Sequence, residues 1–354
     1  MTKINGSAYF CGDSKKDVWT VTNEAAAEAA RDGNHKFSEF YNLGQGFFSY
    51  APPEFMTEQG KKALENIPAN QYSPVRGQPI LVDALSKLYS PVYKKQLKPE
   101  NIQVTTGANV GIFACLMSLL NPGDEVIVLE PFFDQYIYNI KVLGGIVKHV
   151  PLTPPKDLKT RRTKGSEWTL DFDQFRSAIS EKTKAVIINS PHNPTGKVFT
   201  REELLTLGNI CVEKNVYIIS DEVYENLYFT PECVKLASLS PEISNITLTI
   251  GSAGKIFAVT GWRIGWIISE NVELLKLASS AHIKICFSSP SPPQLACAHA
   301  IDIALNSDYF DRMRKDYIEK VEILTSVFEE LGMPYTVPEG SYFIVVDFSK
   351  LKIP

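Results

Sequence analysis

The segment with the clearest chemical potential is a run of small residues that ends in a lysine, Gly251-Ser-Ala-Gly-Lys255. A lysine in a low-dielectric site beside a cationic group can lose its proton and act as an amine nucleophile. Ser252 and Arg263 are polar neighbours in sequence that could bind a phosphate. Because most lysines lie at the surface, an exposed lysine after a flexible turn is the default interpretation of this segment taken alone.

A second candidate is Asp221, which directly follows the apolar run Val216-Tyr-Ile-Ile-Ser220. A carboxylate at the end of a buried strand needs a partner, and a protonated pyridine nitrogen is one such partner. The alternative is a cap for a helical turn over residues 222–224, which would use the same carboxylate oxygens.

Polar or glycine-containing segments follow several predicted strands, and ligands of open parallel sheets bind beyond the carboxyl ends of the strands. The segment Thr105-Thr-Gly-Ala-Asn109 has small residues before a predicted helix, which would let backbone N–H groups approach an anion. An ordinary tight turn explains this segment equally well. Neither a GxGxxG nor a GxxxxGK[ST] pattern is present there. The convergence of these segments therefore indicates a site more strongly than any one of them: residues 105–109, 130–133, 189–196, 221–224 and 251–255.

The elements that must position these residues alternate between short apolar runs and helical patterns from about residue 100 onward. This alternation predicts an α/β fold with a mostly parallel, seven-stranded sheet sandwiched by helices. We expect a large domain over residues 49–306 and a smaller α/β domain built from residues 1–48 and 307–354. The predicted strands are 102–106, 125–129, 146–151, 185–189, 216–220, 248–250 and 265–269.

Composition narrows the class of protein further. Lys and Arg number 36 and Asp and Glu number 40, so the net charge is −4 and gives no general attraction to nucleic acid or anionic membranes. No apolar run is long enough to span a membrane, and the first residues lack a secretory or organelle signal pattern. The six cysteines and five histidines are scattered, which favours reduced thiols and no metal site. We expect an intracellular, cytoplasmic enzyme, with the mitochondrion as an alternative.

Several segments together resemble class I aminotransferases of pyridoxal phosphate (PLP) fold type I. Gly251-Ser-Ala-Gly-Lys255 with Thr260-Gly-Trp-Arg-Ile-Gly-Trp266 resembles the lysine motif of that family. Asn189-Ser-Pro-His-Asn-Pro-Thr-Gly196 is similar to its NxPxNPxG motif, and Asp221-Glu-Val-Tyr224 to its pyridine-nitrogen segment. Residues 42–47, 70–72, 125–134 and 340–343 are similar to the kynurenine aminotransferase and cysteine-S-conjugate β-lyase group, and most to fungal kynurenine aminotransferase.

The resemblance implies roles for individual residues. Lys255 would form the internal aldimine with PLP and move the substrate α-proton, while Asp221 would keep the pyridine nitrogen protonated. Tyr224 and Asn193 would bond the phenolic oxygen of the cofactor, and Phe133 would stack on its ring. The full implied set of cofactor-binding residues is Tyr72, Ala108, Asn109, Phe133, Asn189, Asn193, Asp221, Tyr224, Ser252, Lys255 and Arg263.

The phosphate end of this implied site uses the backbone of residues 108 and 109 together with Ser252 and Arg263. Tyr72 would reach the phosphate of a neighbouring subunit, which implies a homodimer. Gly46 and Asn193 would contact the substrate carboxylate, and Trp19 would form a wall of the substrate pocket. The expected activity is transfer of the amino group of an aromatic L-amino acid, with kynurenine the best candidate, to a 2-oxo acid.

One feature departs from the family pattern. The family binds the substrate α-carboxylate with an arginine in a C-terminal RFxF-like segment, and none occurs here after Asp347-Phe-Ser-Lys350. Loss of such a bidentate contact costs roughly 2–5 kcal/mol in binding. We therefore expect a small domain that is incomplete at its C-terminus. Two alternative functions stay open: β-elimination from cysteine S-conjugates, and a PLP-binding dimer partner with weak catalytic activity.

Overall fold

The computed structural model describes residues 16, 18–31, 43, 44, 46 and 48–351, in a chain that divides into two units at residues 1–49 and 50–354. In the first unit, helix α1 spans Val18–Arg31 and has Arg31 in its last turn, where a cation favours the negative end of the helix dipole. The sequence-based division into residues 49–306 and residues 1–48 with 307–354 stays a prediction.

The second unit is built on an eight-stranded sheet in the order β1-β9-β8-β7-β6-β2-β3-β5. Strands β1, β8, β7, β6, β2 and β3 run in one direction, whereas β9 and β5 run in the opposite direction. The mostly parallel α/β fold predicted from the sequence is confirmed. The strands are β1 (Ile102–Thr105), β2 (Glu125–Glu130), β3 (Ile146–Thr153), β5 (Thr169–Leu170), β6 (Thr183–Asn189), β7 (Tyr217–Asp221), β8 (Thr247–Ser252) and β9 (Gly265–Ile268).

Helices cover this sheet, because its central strands are apolar on both faces. One apolar cluster joins α2, α3 and α11 to β1 and β9, and another joins α6 and α7 to β2, β3, β6 and β7. The helices of this unit are α2 (Glu54–Glu65), α3 (Pro79–Tyr93), α4 (Ala108–Leu119), α5 (Gln135–Val142), α6 (Phe172–Ala178), α7 (Arg201–Lys214), α8 (Pro241–Asn245), α9 (Ala253–Ile256), α10 (Val272–Cys286), α11 (Ser291–Leu305) and α12 (Tyr309–Glu330).

The start and end of α7 show how local sequence sets these elements. The Thr200 hydroxyl accepts a hydrogen bond from the Glu203 N–H, and the Glu203 carboxylate accepts one from the Thr200 N–H. This capping box satisfies backbone donors that have no partner within the helix. At the other end, Asn215 adopts a left-handed conformation that terminates the helix.

Some short elements differ from the sequence-based expectation. Strand β5 adds an eighth, antiparallel strand at one edge of the sheet. A separate three-stranded sheet forms from β4 (Thr163–Lys164), β10 (Tyr335–Val337) and β11 (Val345–Val346), and none of these strands is among the seven predicted from the sequence. Strands of two or three residues are too short to show the alternation from which strands are predicted.

Across the described ranges, no helix combines the length and the apolar character that crossing a membrane requires. The five cysteines within those ranges, Cys115, Cys211, Cys233, Cys286 and Cys297, are all free thiols. These thiols agree with the expectation of reduced cysteines as far as the described part of the chain is concerned.

Gly265, at the start of β9, provides a test of how closely the backbone packs at one edge of the sheet. A Cβ atom at this position would lie 2.6 Å from the Ala108 nitrogen, 2.7 Å from the Gly107 carbonyl carbon and 3.0 Å from the Gly251 oxygen. Because all three are backbone atoms that cannot move aside cheaply, we expect Gly265→Ala to lower the free energy of unfolding by about 3 kcal/mol.

The measurement is the midpoint of urea-induced unfolding of the purified protein. Gly261→Ala is the matched control, since a Cβ atom at Gly261 meets nothing within 4 Å. That variant should stay within about 0.5 kcal/mol of the parent protein. Equal midpoints for the two variants would contradict the close backbone approach at Gly265.

Candidate active site

The candidate active site lies where several strands end. Because β1, β8, β7 and β6 run in the same direction, their last residues meet at one edge of the sheet. Those residues are Thr105, Ser252, Asp221 and Asn189. The short helix α9 directly follows β8 and carries Lys255. This edge therefore brings together most of the residues that the sequence singled out.

Asp221 is 5% exposed and is held by two hydrogen bonds. Its Oδ2 accepts from the Tyr136 hydroxyl, and its Oδ1 accepts from the Val223 N–H at 3.3 Å. Burial raises the pKa of Asp221 to about 6, although the bond from Tyr136 opposes that shift. The bond from the Val223 N–H corresponds to the capping role that the sequence offered as an alternative. Both carboxylate oxygens of Asp221 therefore have a donor: the Val223 N–H for Oδ1 and the Tyr136 hydroxyl for Oδ2.

Lys255 lies among aromatic side chains. Its Nζ donates a hydrogen bond to the Tyr342 hydroxyl and is 5.1 Å from the centre of the Tyr342 ring and 5.5 Å from that of Tyr224. Burial lowers the pKa of Lys255 to about 8; the nearby charge of Asp221 opposes the shift and that of Arg263 adds to it. An amine that is partly unprotonated near neutral pH can act as a nucleophile or as a base.

Tyr224 extends this aromatic group. Its ring packs edge-on against Tyr342 at 5.3 Å and against Phe343 at 6.0 Å, and its hydroxyl is hydrogen-bonded to Tyr342 and Asn193. Burial raises the pKa of Tyr224 well above the usual value for a phenol. Tyr224 is therefore a neutral hydroxyl at working pH, able to donate a hydrogen bond to an anionic oxygen.

Asn189 connects two strand ends through its side-chain amide. It is 4% exposed, its Nδ2 donates to the Asp221 carbonyl at 2.9 Å, and its Oδ1 accepts from the Asn193 N–H at 2.6 Å. Both ends of the amide are thus engaged with backbone groups. The sequence predicted a contact between Asn189 and the cofactor, and the observed bonds give Asn189 a positioning role for Asp221 and Asn193.

The start of α4 forms the opposite end of the site. Gly107 precedes the helix with a φ of +83°, and a Cβ there would lie 2.5 Å from Arg263 Nη2, so the guanidinium packs directly against this turn. Arg263 also donates to the Thr260 carbonyl at 3.0 Å. The Asn109 side chain accepts a bond from Asn139. Since the first N–H groups of a helix lack intrahelical acceptors, Ala108 and Asn109 with Arg263 make a site suited to an anion.

The remaining predicted residues are distributed as follows. Phe133 packs edge-on against Tyr136 at 5.6 Å, close to Asp221. Tyr72 is 86% exposed, packs against Phe287 and lines the same cavity as Thr106, which directly follows the end of β1. Trp19 and Gly46 belong to the first unit, and their contacts with a substrate stay predictions.

Two residues at the site were not predicted from the sequence. The sequence assigns no role to Tyr136, yet its hydroxyl donates a hydrogen bond to Asp221. Tyr342 was noted within residues 340–343 as part of the resemblance, yet its contact with Lys255 was not foreseen. A tyrosine near the start of a helix that follows a strand end is a weak signal for Tyr136, whereas no local signal identifies Tyr342.

Comparisons with known proteins agree with this arrangement. Residues 38–353 match the family described as aminotransferase class I and II. Probable kynurenine–oxoglutarate transaminase BNA3 of Saccharomyces cerevisiae is 62% identical over 352 residues, which are 99% of this chain and 79% of that protein. Human kynurenine–oxoglutarate transaminase 3 is 39% identical over 342 residues, 95% of this chain and 73% of that protein.

Solved structures give the same result. The structure of Bna3p from Saccharomyces cerevisiae has a TM-score of 0.96 at 62% identity and covers 99% of this chain and 82% of that one. A single mutant of Thermus thermophilus aspartate aminotransferase has a TM-score of 0.86 at 29% identity, and the match covers 99% of this chain and 86% of that one. The chain belongs to the class I and II aminotransferase family. The recognition and the fold type predicted from the sequence are thereby confirmed.

Aminotransferases of this family use PLP, so this chain is a PLP-dependent aminotransferase. The residues at the strand ends fit that cofactor. An amine with a lowered pKa suits its aldehyde, a buried carboxylate suits its pyridine nitrogen, and a helix start with an arginine suits its phosphate. The contacts of the individual residues with PLP stay predictions.

The lowered pKa of Lys255 leads to a pH-dependent reactivity. In the cofactor-free protein, Lys255 should react with an acylating reagent at a rate that falls about tenfold per pH unit below pH 8 and levels off above about pH 9. Mass spectrometry of the peptide that contains Lys255 measures this rate. Free Nα-acetyl-lysine is the control, and its rate should keep rising to about pH 10. Coincident profiles would contradict the burial of this amine.

The amide of Asn189 provides a test of positioning. In Asn189→Ala the Asp221 carbonyl and the Asn193 N–H lose a buried partner, so we expect the free energy of unfolding to fall by about 2–4 kcal/mol. Urea unfolding measures the change. Asn306→Ala removes an exposed bond from Asn306 to the Asp302 carbonyl and should cost less than about 0.5 kcal/mol. Similar losses in the two variants would argue against a buried bridging role for Asn189.

Proposed function

We propose that this aminotransferase moves the amino group of kynurenine, or of a similar aromatic L-amino acid, to 2-oxoglutarate or another 2-oxo acid. The observation that carries the proposal is the amine of Lys255, with its pKa lowered to about 8, among the rings of Tyr224 and Tyr342 at the edge where Asp221 ends β7. The kynurenine–oxoglutarate transaminases of Saccharomyces cerevisiae, rat and human, at 62%, 38% and 39% identity, support this choice of substrates.

In the proposed reaction, PLP supplies an electron sink for the electron pair left when the substrate α-carbon loses its proton. Lys255 would take that proton at Nζ and return it, because part of its amine is unprotonated near pH 8. Asp221 would hold a proton on the ring nitrogen, with the Tyr136 hydroxyl fixing the carboxylate. Tyr224 would donate a hydrogen bond to the phenolic oxygen of the cofactor, with Asn193 beside it.

The aromatic side chains at the site support an aromatic substrate. Tyr224, Tyr342 and Phe343 form a contiguous group with ring centres between 4.8 and 6.0 Å apart. A group of neighbouring rings of this kind can accept a further ring at favourable distances. The substrate contacts of Trp19, Gly46 and Asn193 that the family resemblance implies stay predictions for each residue.

An absorption spectrum tests the proposal directly. The purified protein with PLP should show an absorbance band near the visible edge, and added kynurenine should convert it, with 2-oxoglutarate restoring it as glutamate forms. Lys255→Ala should lose the band because the amine that bonds the cofactor is gone. A band that persists in Lys255→Ala would disprove the assignment of Lys255.

Two other outcomes remain to be separated from transamination. β-Elimination from a cysteine S-conjugate would release pyruvate and ammonia, and product analysis distinguishes it from amino-group transfer. The alternative of a PLP-binding partner with weak catalysis is not favoured by the relatives named as transaminases. A normal single-turnover rate with kynurenine in this 354-residue chain would exclude it.

We also propose a homodimer whose active sites each take Tyr72 from the neighbouring subunit. Supporting features are the exposure of Tyr72 and Phe287, at 86% and 52%, and a cavity of about 930 Å³ beside them. Large exposed aromatic side chains beside a concave surface are typical of interfaces. This cavity is lined by Asn70, Gln71, Tyr72, Ser73, Thr106, Cys286, Phe287, Ser288, Ser289, Pro290, Ser291 and Pro292.

A hybrid dimer tests this shared site. Tyr72→Ala and Lys255→Ala should each abolish most of the activity as homodimers. If Tyr72 acts across the interface, a hybrid of the two variants contains one doubly altered site and one intact site. Mixing and reassociation should therefore restore about a quarter of the parental activity, given random pairing of subunits. Lack of any recovery, with reassociation verified by differently tagged chains, would contradict a shared site.

A cytoplasmic location also remains a proposal. Its support is that the cysteines of the described ranges are free thiols, as is usual in reducing compartments. Fractionation of the cells that make this protein would test it, and recovery with mitochondria would favour the alternative.

A further inference from the structure

A cluster of charged side chains is buried behind the candidate active site, and the proposed reaction makes no use of it. Lys235, Glu222 and Glu225 are 6%, 3% and 7% exposed. Lys235 Nζ lies 3.0 Å from Glu222 Oε2 as an ion pair and donates a hydrogen bond to Glu225 Oε2. One lysine thus contacts two carboxylates in the protein interior, where an unpaired charge is costly.

Each carboxylate of this cluster is next to a predicted cofactor residue in sequence. Glu222 follows Asp221 at the end of β7, and Glu225 follows Tyr224. Glu222 Oε1 accepts bonds from the Ser220 hydroxyl at 2.8 Å and from the Leu236 N–H at 3.3 Å. The segment that presents Asp221 and Tyr224 to the site is therefore tied on its inner side to Lys235 and to the chain around it.

The cluster also extends to the segment that carries Lys255. The Tyr89 hydroxyl donates to Glu225 Oε1 and accepts from the Trp266 indole N–H at 2.8 Å. Trp266 lies opposite Gly251 across the β8–β9 pair and packs so closely on it that no Cβ would fit at Gly251. Gly251 begins the run of small residues that ends at Lys255.

We propose that Lys235 is a positioning residue of the cofactor site. Its buried ammonium group holds the carboxylates of Glu222 and Glu225. Through Tyr89 and Trp266, this cluster connects the end of β7, which bears Asp221, to the end of β8, which leads to Lys255. This inference rests on the proposed PLP site. Lys235 does not itself touch the cofactor or the substrate in this arrangement.

The charges of the cluster support this role. Burial alone would lower the pKa of Lys235, but Glu222 and Glu225 outweigh it and raise the pKa above its usual value, so Lys235 is a permanent cation. The charge of Glu222 acts to raise the pKa of Asp221. Without Lys235, the two carboxylates would lose the cation that they share, and Asp221 would be less able to remain an anion beside the ring nitrogen.

The test is the affinity of the cofactor-free protein for PLP, measured by absorbance and tryptophan fluorescence. Lys235→Met keeps the length of the side chain and removes its charge, and we expect it to raise the dissociation constant at least about tenfold. Lys235→Arg should stay within about threefold of the parent. Lys87→Met is the surface control, since the Lys87–Asp302 ion pair is exposed, and it should leave the affinity unchanged.

A charge-balanced double variant separates positioning by charge from simple packing. Lys235→Met with Glu222→Gln removes one positive and one negative charge, so the net charge of the cluster is that of the parent and the charge that raises the pKa of Asp221 is gone. We expect it to recover PLP affinity to within about threefold of the parent. A double variant that binds as poorly as Lys235→Met, or a Lys235→Met variant that binds like the parent, would overturn the proposal.

If Lys235→Met does not fold, the Tyr89→Phe variant tests the proposal instead. It removes the hydroxyl that connects Glu225 to Trp266 and leaves no charge unpaired. PLP affinity should then fall about threefold or more, and unchanged affinity would overturn the proposal. A parent protein that binds no PLP would instead refute the proposed function, so the two failures are distinguishable.

Discussion

The site depends on the burial of a carboxylate at the end of β7. The pKa of Asp221, raised to about 6 by burial, lies above the ordinary value of 3.8. A carboxyl group of this kind contributes stability at low pH that is lost as the pH rises through its folded pKa. At neutral pH the buried charge therefore destabilises the fold by about 3 kcal/mol. A cationic ring nitrogen beside Asp221 would offset this cost, so PLP binding and folding are thermodynamically linked.

Lys255 lies in the same low-dielectric surroundings, but there burial favours the neutral form of a base instead of that of an acid. Burial lowers the pKa of its amine and raises that of the Asp221 carboxyl, so the two ordinary values move toward each other. Environments that shift an acid and a base in this way are characteristic of catalytic sites. The aromatic rings of Tyr224 and Tyr342 contribute to this dry environment while still offering a hydroxyl to the lysine.

Much of this arrangement could be predicted from the sequence, for a physical reason. Lys255, Asp221 and Asn189 each follow an apolar run, and strands that run in one direction bring their ends to one edge. The contact of Lys255 with Tyr342 could not be predicted in this way, because these residues are 87 positions apart and Tyr342 follows no strand of the main sheet.

Asn189 shows a different limit. Its residue type is equally suited to a ligand and to a backbone carbonyl, and only the folded chain shows that the Asp221 carbonyl and the Asn193 N–H engage its amide. Short strands such as β4 and β5 escaped prediction for a simpler reason, since pairing with distant segments rather than local alternation defines them.

Asp221 and Tyr342, the hydrogen-bond partner of Lys255, are held in place by different parts of the structure. Asp221 and Lys255 stand at the ends of paired strands in the main sheet. Tyr342 follows a segment that is held outside the main sheet by four backbone bonds. Glu339 and Gly340 donate to the Gly196 carbonyl, Ser341 donates to the Leu227 carbonyl and Phe229 donates to the Glu339 carbonyl, at 2.7–3.0 Å. The amine of Lys255 therefore has a partner from a segment that pairs with residues 196 and 227–229, whereas the carboxylate of Asp221 is placed by the ladder between β7 and β8.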